Sequence, residues 1–284
     1  MKLVLKSTGS SEPFSNYLKK FGKLRKSLLL EIDSNFEKFV SKSYSEDHSV
    51  VRSSTLSFSD ANFEIIESDK IPDNERIKLG IVVTLDKFIK ILDRFDSDFQ
   101  IAFDFDRLES DNGMDYVCQS VEFRSLDLEM CLNGSKISEF QYLSDDIFNN
   151  RIFNVTESVT INVPFTTLQN IIKTSDIVAI DPKKDSLIFY TANNSLWVKD
   201  NMGKTDSGTD KKSNFTYCIA PNINVPDYPV RLPISREKFV QVLSGSDEDF
   251  NFIIGKDVNG ELTRILFDSQ QTDTKIVIST LNEG

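Results

Sequence analysis

The chain has 284 residues and a formal net charge of −11 at pH 7, with 39% hydrophobic and 27% charged residues. A single core stops growing at about 250–300 residues, so one large or two medium domains are possible, and two are expected. No apolar run approaches the roughly 20 residues that span a bilayer, and the apolar part of the opening MKLVLKSTGS is too short for a signal peptide, which points to a cytoplasmic protein without membrane attachment.

That opening reads as a strand. Pro13 to Ser27 follows as a helical pattern, with Tyr17, Leu18, Phe21 and Leu24 on an apolar face and Lys19, Lys20, Lys23 and Lys26 on the remainder. Pro13 suits a first helical turn, where its missing N–H is harmless, whereas Gly22 costs about 1 kcal/mol against Ala inside a helix. Strands are expected over Leu28–Ile32, Phe36–Val40, Ser54–Phe58, Phe63–Ile66 and Ile77–Val83, with Asp33-Ser34-Asn35 as a hairpin turn between the first two.

The stretch TLDKFIKILDRFDSDFQI, from Thr84 to Ile101, predicts a short helix running into a strand. Leu85, Phe88, Leu92 and Phe95 recur at helical spacing, while Lys87, Lys90 and Arg94 fall on another face. Period-two alternation then takes over at Phe99, Ile101 and Phe103. Strands over Tyr116–Phe123 and Leu126–Cys131 follow. A domain boundary is expected between Leu143 and Glu157, dividing the chain into domains 1–150 and 151–284.

The second half restarts with a strand at Val159–Val163 and a helix from Phe165 to Ser175. Ile177–Ile180, Leu187–Thr191 and Ser195–Lys199 read as strands, and Asn201 to Asn214 as a loop. Strands at Phe215–Ile219 and Val230–Ile234, a helix from Arg236 to Leu243, and strands at Phe250–Ile254, Thr263–Phe267 and Lys275–Thr280 complete the chain.

The two halves repeat one another. DKFIKILDRFDSDFQIAF from Asp86 lies over EKFVQVLSGSDEDFNFII from Glu237 without a gap. Lys87, Phe88, Leu92, Asp96, Asp98 and Phe99 meet Lys238, Phe239, Leu243, Asp247, Asp249 and Phe250. Pro13-Phe14 falls on Pro164-Phe165 at the same shift. A period this long points to domain duplication rather than a solenoid. The fold class is therefore α+β: two tandem similar domains, each with two short helices packed on antiparallel sheets and eight or nine strands.

Catalytic patterns are missing. His48 is the one histidine, which excludes a histidine-based triad or a multi-histidine metal centre, and no phosphate-binding glycine loop follows a strand. Asp104 with Asp106 and Asp145 with Asp146 are expected to be solvated carboxylates. Cys118, Cys131 and Cys218 lack C-x-x-C spacing and are expected as buried small hydrophobes, not as disulfide or zinc ligands. No enzyme activity, metal or cofactor is expected. Charge is distributed unevenly, since Lys2, Lys6, Lys19, Lys20, Lys23, Arg25 and Lys26 stand against Glu12 alone before Glu31, and acidic residues dominate elsewhere.

Tandem copies of a helix-then-strands unit, with basic helices in an acidic chain, resemble the DNA sliding clamps, the processivity factors of DNA polymerases. VTLDKFIKILDRFDSDFQIAF, INVPFTTLQNIIKTSDIVAI, DSLIFYTANNSLWVKD, LPISREKFVQVLSGSDEDFNFII and KIVIST carry the resemblance. Two-domain length is most similar to the clamps of tailed phages and, more distantly, to archaeal and eukaryotic clamps. The resemblance implies a homotrimeric ring around duplex DNA, helices lining the hole, a clamp loader and a replicative polymerase as partners, and, for a phage protein, the host cytoplasm as location. It also implies that Lys19, Lys20, Lys23, Lys26, Lys87, Lys90, Arg94, Lys173, Arg236 and Lys238 face DNA. Partner peptides would bind near Phe140–Phe153 and the tail after Thr280, at residues the sequence does not name. Two other readings remain open at this level: a monomeric processivity factor, and a viral structural or scaffold β protein with no nucleic-acid role.

Overall fold

The computed structural model describes residues 1–33, 37–69, 79–110, 113–134, 147–179, 185–200, 214–243, 246–269 and 271–281. The chain separates into two compact units, Met1–Ser43 with Ser53–Leu143, and Tyr44–Arg52 with Ser144–Gly284. The nine residues of the second unit's first segment come from the first half of the sequence.

The first unit runs β1 (Lys2–Ser7), α1 (Glu12–Gly22), β2 (Ser27–Asp33), β3 (Lys38–Tyr44), β4 (Val50–Ser57), β5 (Phe63–Ser68), β6 (Leu79–Thr84), α2 (Leu85–Leu92), β7 (Gln100–Ser110), β8 (Gly113–Arg124) and β9 (Glu129–Asn133). Its strands lie in the order β4-β3-β2-β6-β8-β7-β1-β5, with β9 also on β8. All these pairs whose register is defined are antiparallel except β6 with β8, which is parallel. Alternation explains the strands: Ile101 and Phe103 in β7 are fully buried opposite Phe123 and Val121 of β8, so each strand buries one face.

After a short π-helical turn at Ile147–Ile152, the second unit runs β10 (Thr156–Val163), α3 (Phe165–Val178), β11 (Ser186–Ala192), β12 (Ser195–Asp200), β13 (Thr216–Ala220), β14 (Arg231–Ser235), α4 (Arg236–Leu243), β15 (Phe250–Lys256), β16 (Arg264–Ser269) and β17 (Thr274–Ser279). One sheet holds β10-β15-β16-β17, and β17 is flanked by the first residues of β4. The other holds β13-β12-β11-β14. Among the described residues the element order thus repeats: a strand and a helix, then five strands in the first unit and four in the second, a second helix, and three closing strands.

Aromatic rings fill both cores. In the first unit Phe14 stacks on Phe39 at 4.3 Å and meets Phe88 edge-on at 6.0 Å, and Phe88 meets Phe123 at 5.3 Å. In the second, Phe239 lies 5.6 Å from Phe189, and Phe252 meets Phe267 at 5.0 Å. The repeated positions carry equivalent loads, since Phe88, Leu92 and Phe99 and their counterparts Phe239, Leu243 and Phe250 are all at most 1% exposed.

Three local expectations differ from the structure. Ile177 and Val178 end α3 instead of starting a strand, because the Ala179 N–H continues the helical ladder to Ser175 O at 3.0 Å. Leu126 stands 97% exposed in the turn before β9, not in a strand. Of the three cysteines only Cys118 is buried; Cys131 is exposed and Cys218 half-buried, because strand alternation turns them to the face opposite their neighbours Met130, Leu132 and Ile219. The expected turn at Asp33-Ser34-Asn35 lies largely outside the described residues.

Candidate nucleic-acid interface

In the first unit the two helices pack antiparallel. Ser11, at the start of α1, donates its hydroxyl to Leu92 O at 3.2 Å and Phe95 O at 2.9 Å, at the end of α2. At the opposite end the Leu85 N–H donates to Lys26 O at 3.0 Å. Ser15 Oγ donates to Asp93 Oδ1 at 3.1 Å, at the same end of the pair as the Ser11 bonds. The Ser11 bonds satisfy carbonyls at the C-terminal end of α2 that lack intrahelical donors.

This packing sorts the side chains. Phe14, Tyr17, Leu18 and Phe21 of α1 and Leu85, Phe88, Ile91 and Leu92 of α2 are buried. Lys19, Lys23, Lys26, Lys87, Lys90 and Arg94 are exposed, and Lys20 is half-buried. On α2 the spacing of Lys87, Lys90 and Arg94 makes a single stripe, while Asp86 and Asp93 stand on the adjoining one. Lys19 reaches Asp93 at 3.9 Å with both side chains about half exposed, a weak pair that water and salt screen. Lys26, Lys87, Lys90 and Arg94 form no ion pair among the described residues.

The second unit's helices pack together too, but their cations are placed differently. Lys173 is exposed on α3 beside Asn170 and Ile177, and Ile177 is 83% exposed. Arg236 is only 5% exposed, contrary to its expected place on a DNA-facing surface. Its guanidinium pairs with Asp176 and donates from Nε to Ser175 Oγ at 3.3 Å, so it clamps α4 to the end of α3. Lys238 is likewise drawn aside, lying 3.1 Å from Asp47 Oδ2 in the segment Tyr44–Arg52. Neither contact had a local signal in the sequence, because the partners stand far apart along the chain.

Asp47 is the hub of that segment. Burial alone would raise its pKa, but hydrogen bonds from the Ser45 and Ser49 hydroxyls, the Ser49 N–H and Lys238 outweigh it and hold the carboxyl well below its ordinary 3.8. Fully buried Arg52 donates from Nη1 to Val242 O at 3.3 Å, which places a cation at the C-terminal end of α4, where the helix dipole favours it.

The expected partner-peptide region is described from residue 147 onward. Phe148 is buried and stacks on Phe153 at 5.9 Å. Arg264 donates from Nη1 to Arg151 O at 3.0 Å and Ile152 O at 2.7 Å, and its Nη2 lies 3.5 Å from Asp257. Lys275 sits 5.0 Å over the Phe153 ring. Near the tail, Leu281 N–H donates to Pro233 O at 2.7 Å. Residues 140–146 and 282–284 lie outside the described residues. Asp104 and Asp106 are exposed, and no group of three or more His, Cys, Asp or Glu could hold a metal ion among the described residues. Among them, too, no helix is long and apolar enough to cross a membrane.

The fold is that of the DNA sliding clamps. The chain matches A. fulgidus PCNA, in a structure with the C-terminal region of FEN-1 bound, at a TM-score of 0.61 and 10% identity over 99% of both chains. It matches the Helicobacter pylori beta clamp, bound to a DNA ligase peptide, at 0.60 and 14% identity over 100% of this chain and 67% of that one. The DnaN sliding clamp (DNA polymerase III subunit beta) of Pseudomonas aeruginosa, bound to griselimycin, gives 0.64 and 10% identity over 100% and 66%. No protein-family model and no curated protein matches the sequence. At these identities the shared property is the α+β two-domain clamp architecture itself.

Proposed function

We propose that the protein is a sliding clamp, a non-enzymatic factor that encircles duplex DNA as a homotrimeric ring and tethers the replicative polymerase, loaded by a clamp loader. Residues 1–150 and 151–284 are its two clamp domains, and a tailed phage is the proposed source. The observation that carries this reading is the lysine and arginine surface of the α1 and α2 pair in an otherwise acidic chain with the clamp fold. Duplex DNA presents one charge per about 1.7 Å, and cations that touch phosphates without reading base edges hold it while allowing movement along it. Lys19, Lys20, Lys23, Lys26, Lys87, Lys90 and Arg94 do this work, with Lys173 a lone contribution from the second unit. Arg236 and Lys238 leave the set because carboxylates already engage them. Acidic surface elsewhere repels DNA from other approaches.

The test is primer extension on singly primed circular DNA by a replicative polymerase with a clamp loader, with and without this protein, and with the oligomeric state followed by light scattering. A concentration-dependent trimer and longer products are expected. A strict monomer that still lengthens products would favour a monomeric processivity factor. No gain in product length with either oligomeric state would return the protein to a structural or scaffold role.

A further inference from the structure

The sheet β13-β12-β11-β14 has one face in the core of the second unit and one turned away from it. Leu187, Phe189, Leu196, Val198, Leu232 and Ile234 are fully buried on the first. Strand alternation puts Tyr190, Trp197, Lys199 and Arg231 on the other. The cross-strand register sets Trp197 opposite Tyr190 and Tyr190 opposite Arg231, so these three form one row across three strands. Trp197, Tyr190 and Lys199 are half-buried and Arg231 is exposed.

Three observations give the row its chemistry. Trp197 Nε1 donates to Ala192 O at 3.2 Å, which turns the indole back along the sheet and satisfies its one polar atom. What the side chain has left to offer a ligand is its π-face. Lys199 Nζ stands 5.2 Å from the centre of the Tyr190 ring, an attraction that keeps the ammonium on this face. The four strands contain one carboxylate, Asp200, and it belongs to the core face, opposite Leu187 and 3% exposed. In a chain of net charge −11 the strand positions of this face therefore carry cations only.

We propose that this face binds single-stranded DNA, with a base stacked on Trp197 and neighbouring phosphates on Lys199 and Arg231. Every base has a π-face whatever the sequence, and an unpaired strand exposes it whereas a duplex keeps it inside the stack. Phosphates supply the negative charge that the two cations complement. Three strands at about 4.8 Å spacing make the row about 10 Å long, so it takes a short stretch of strand. Duplex DNA has its own place on α1 and α2, and the choice of DNA over RNA rests on that reading. An acidic peptide would meet the two cations but would leave the indole face without a matching flat partner.

Trp197 is the only tryptophan of the chain, so its own fluorescence is the test. Titrating the full chain at low salt with oligo(dT) of about eight nucleotides should quench the emission, and the same concentration of duplex should not. Trp197→Ala, read by anisotropy of a labelled oligonucleotide, should weaken binding about tenfold. Lys199→Glu, a change on the outer face that leaves the core intact, should do the same with the circular dichroism spectrum unchanged. Substituting Lys19, Lys23, Lys87 and Lys90 by Glu should remove duplex affinity and leave the quenching in place. No quenching by oligo(dT) while duplex affinity is intact overturns the single-strand site alone. Quenching lost with the four helix lysines, or equal affinity for a polyglutamate peptide, overturns it as well, by placing the oligonucleotide on α1 and α2 or an acidic protein segment on this face. Quenching that persists in a chain with no duplex affinity overturns the helix-pair reading and supports the stacking face.

Discussion

Lys87 and Lys238 occupy equivalent places in the repeat, yet one is exposed and the other lies against Asp47. The difference predicts opposite phenotypes. Removing Lys87 or Lys90 should make the plot of log affinity against log salt shallower by about 0.9 per residue, measured by anisotropy on a short duplex. Lys238→Ala should leave that slope unchanged. Arg236→Ala should also leave it unchanged but lower stability by about 2 kcal/mol, because it removes a buried stem and a clamp between two helices. Thermal unfolding and the salt series together distinguish the two roles. Asp47 adds a pH signature. Its folded pKa is depressed, so its contribution is present above the ordinary carboxyl value and is lost as pH falls through the folded one. Between about pH 5 and about pH 2 the unfolding midpoint of the native chain should therefore fall more steeply than that of Asp47→Asn.

Helices and strands followed their periodicity closely where one face is buried. The stretch Leu85–Leu92 is helical as its spacing predicts, with Phe88 and Leu92 inward. α1 is shorter than its pattern, ending at Gly22, after which Leu24 and Arg25 N–H groups both donate to Phe21 O. The apolar run Ile177–Ile180 misled because a short apolar segment fits a buried strand and a helix end equally well. Irregular pairing was invisible in the sequence for a related reason. β15 meets β10 across a break in register between Thr156 and Val159, and Gly255 sits there: a Cβ on it would stand 2.9 Å from Thr156 O and from the Cβ atoms of Val155 and Ser158. Gly255→Val should cost about 2 kcal/mol through overpacking, read as a lowered unfolding midpoint.

For the whole molecule, the clamp reading predicts cooperation between surfaces that no single residue reports. Substituting Lys19, Lys23, Lys87 and Lys90 together by Glu should abolish the gain in product length while the circular dichroism spectrum and the trimer persist, since all four lie away from the cores. The sequence by itself determined the α+β class, the duplication, the paired core positions Phe88 with Phe239 and Phe99 with Phe250, and the basic character of the first helix pair. These follow from local periodicity and composition, which act over a few residues at a time. Only the tertiary structure decided that Tyr44–Arg52 belongs to the second unit, that Arg236 and Lys238 are spent on Asp176 and Asp47, and that among the described residues β9 and β13 have one strand neighbour each. Those outcomes depend on which distant groups meet when the sheets form, and a charge or a strand edge carries no mark in the sequence of whether folding will satisfy it.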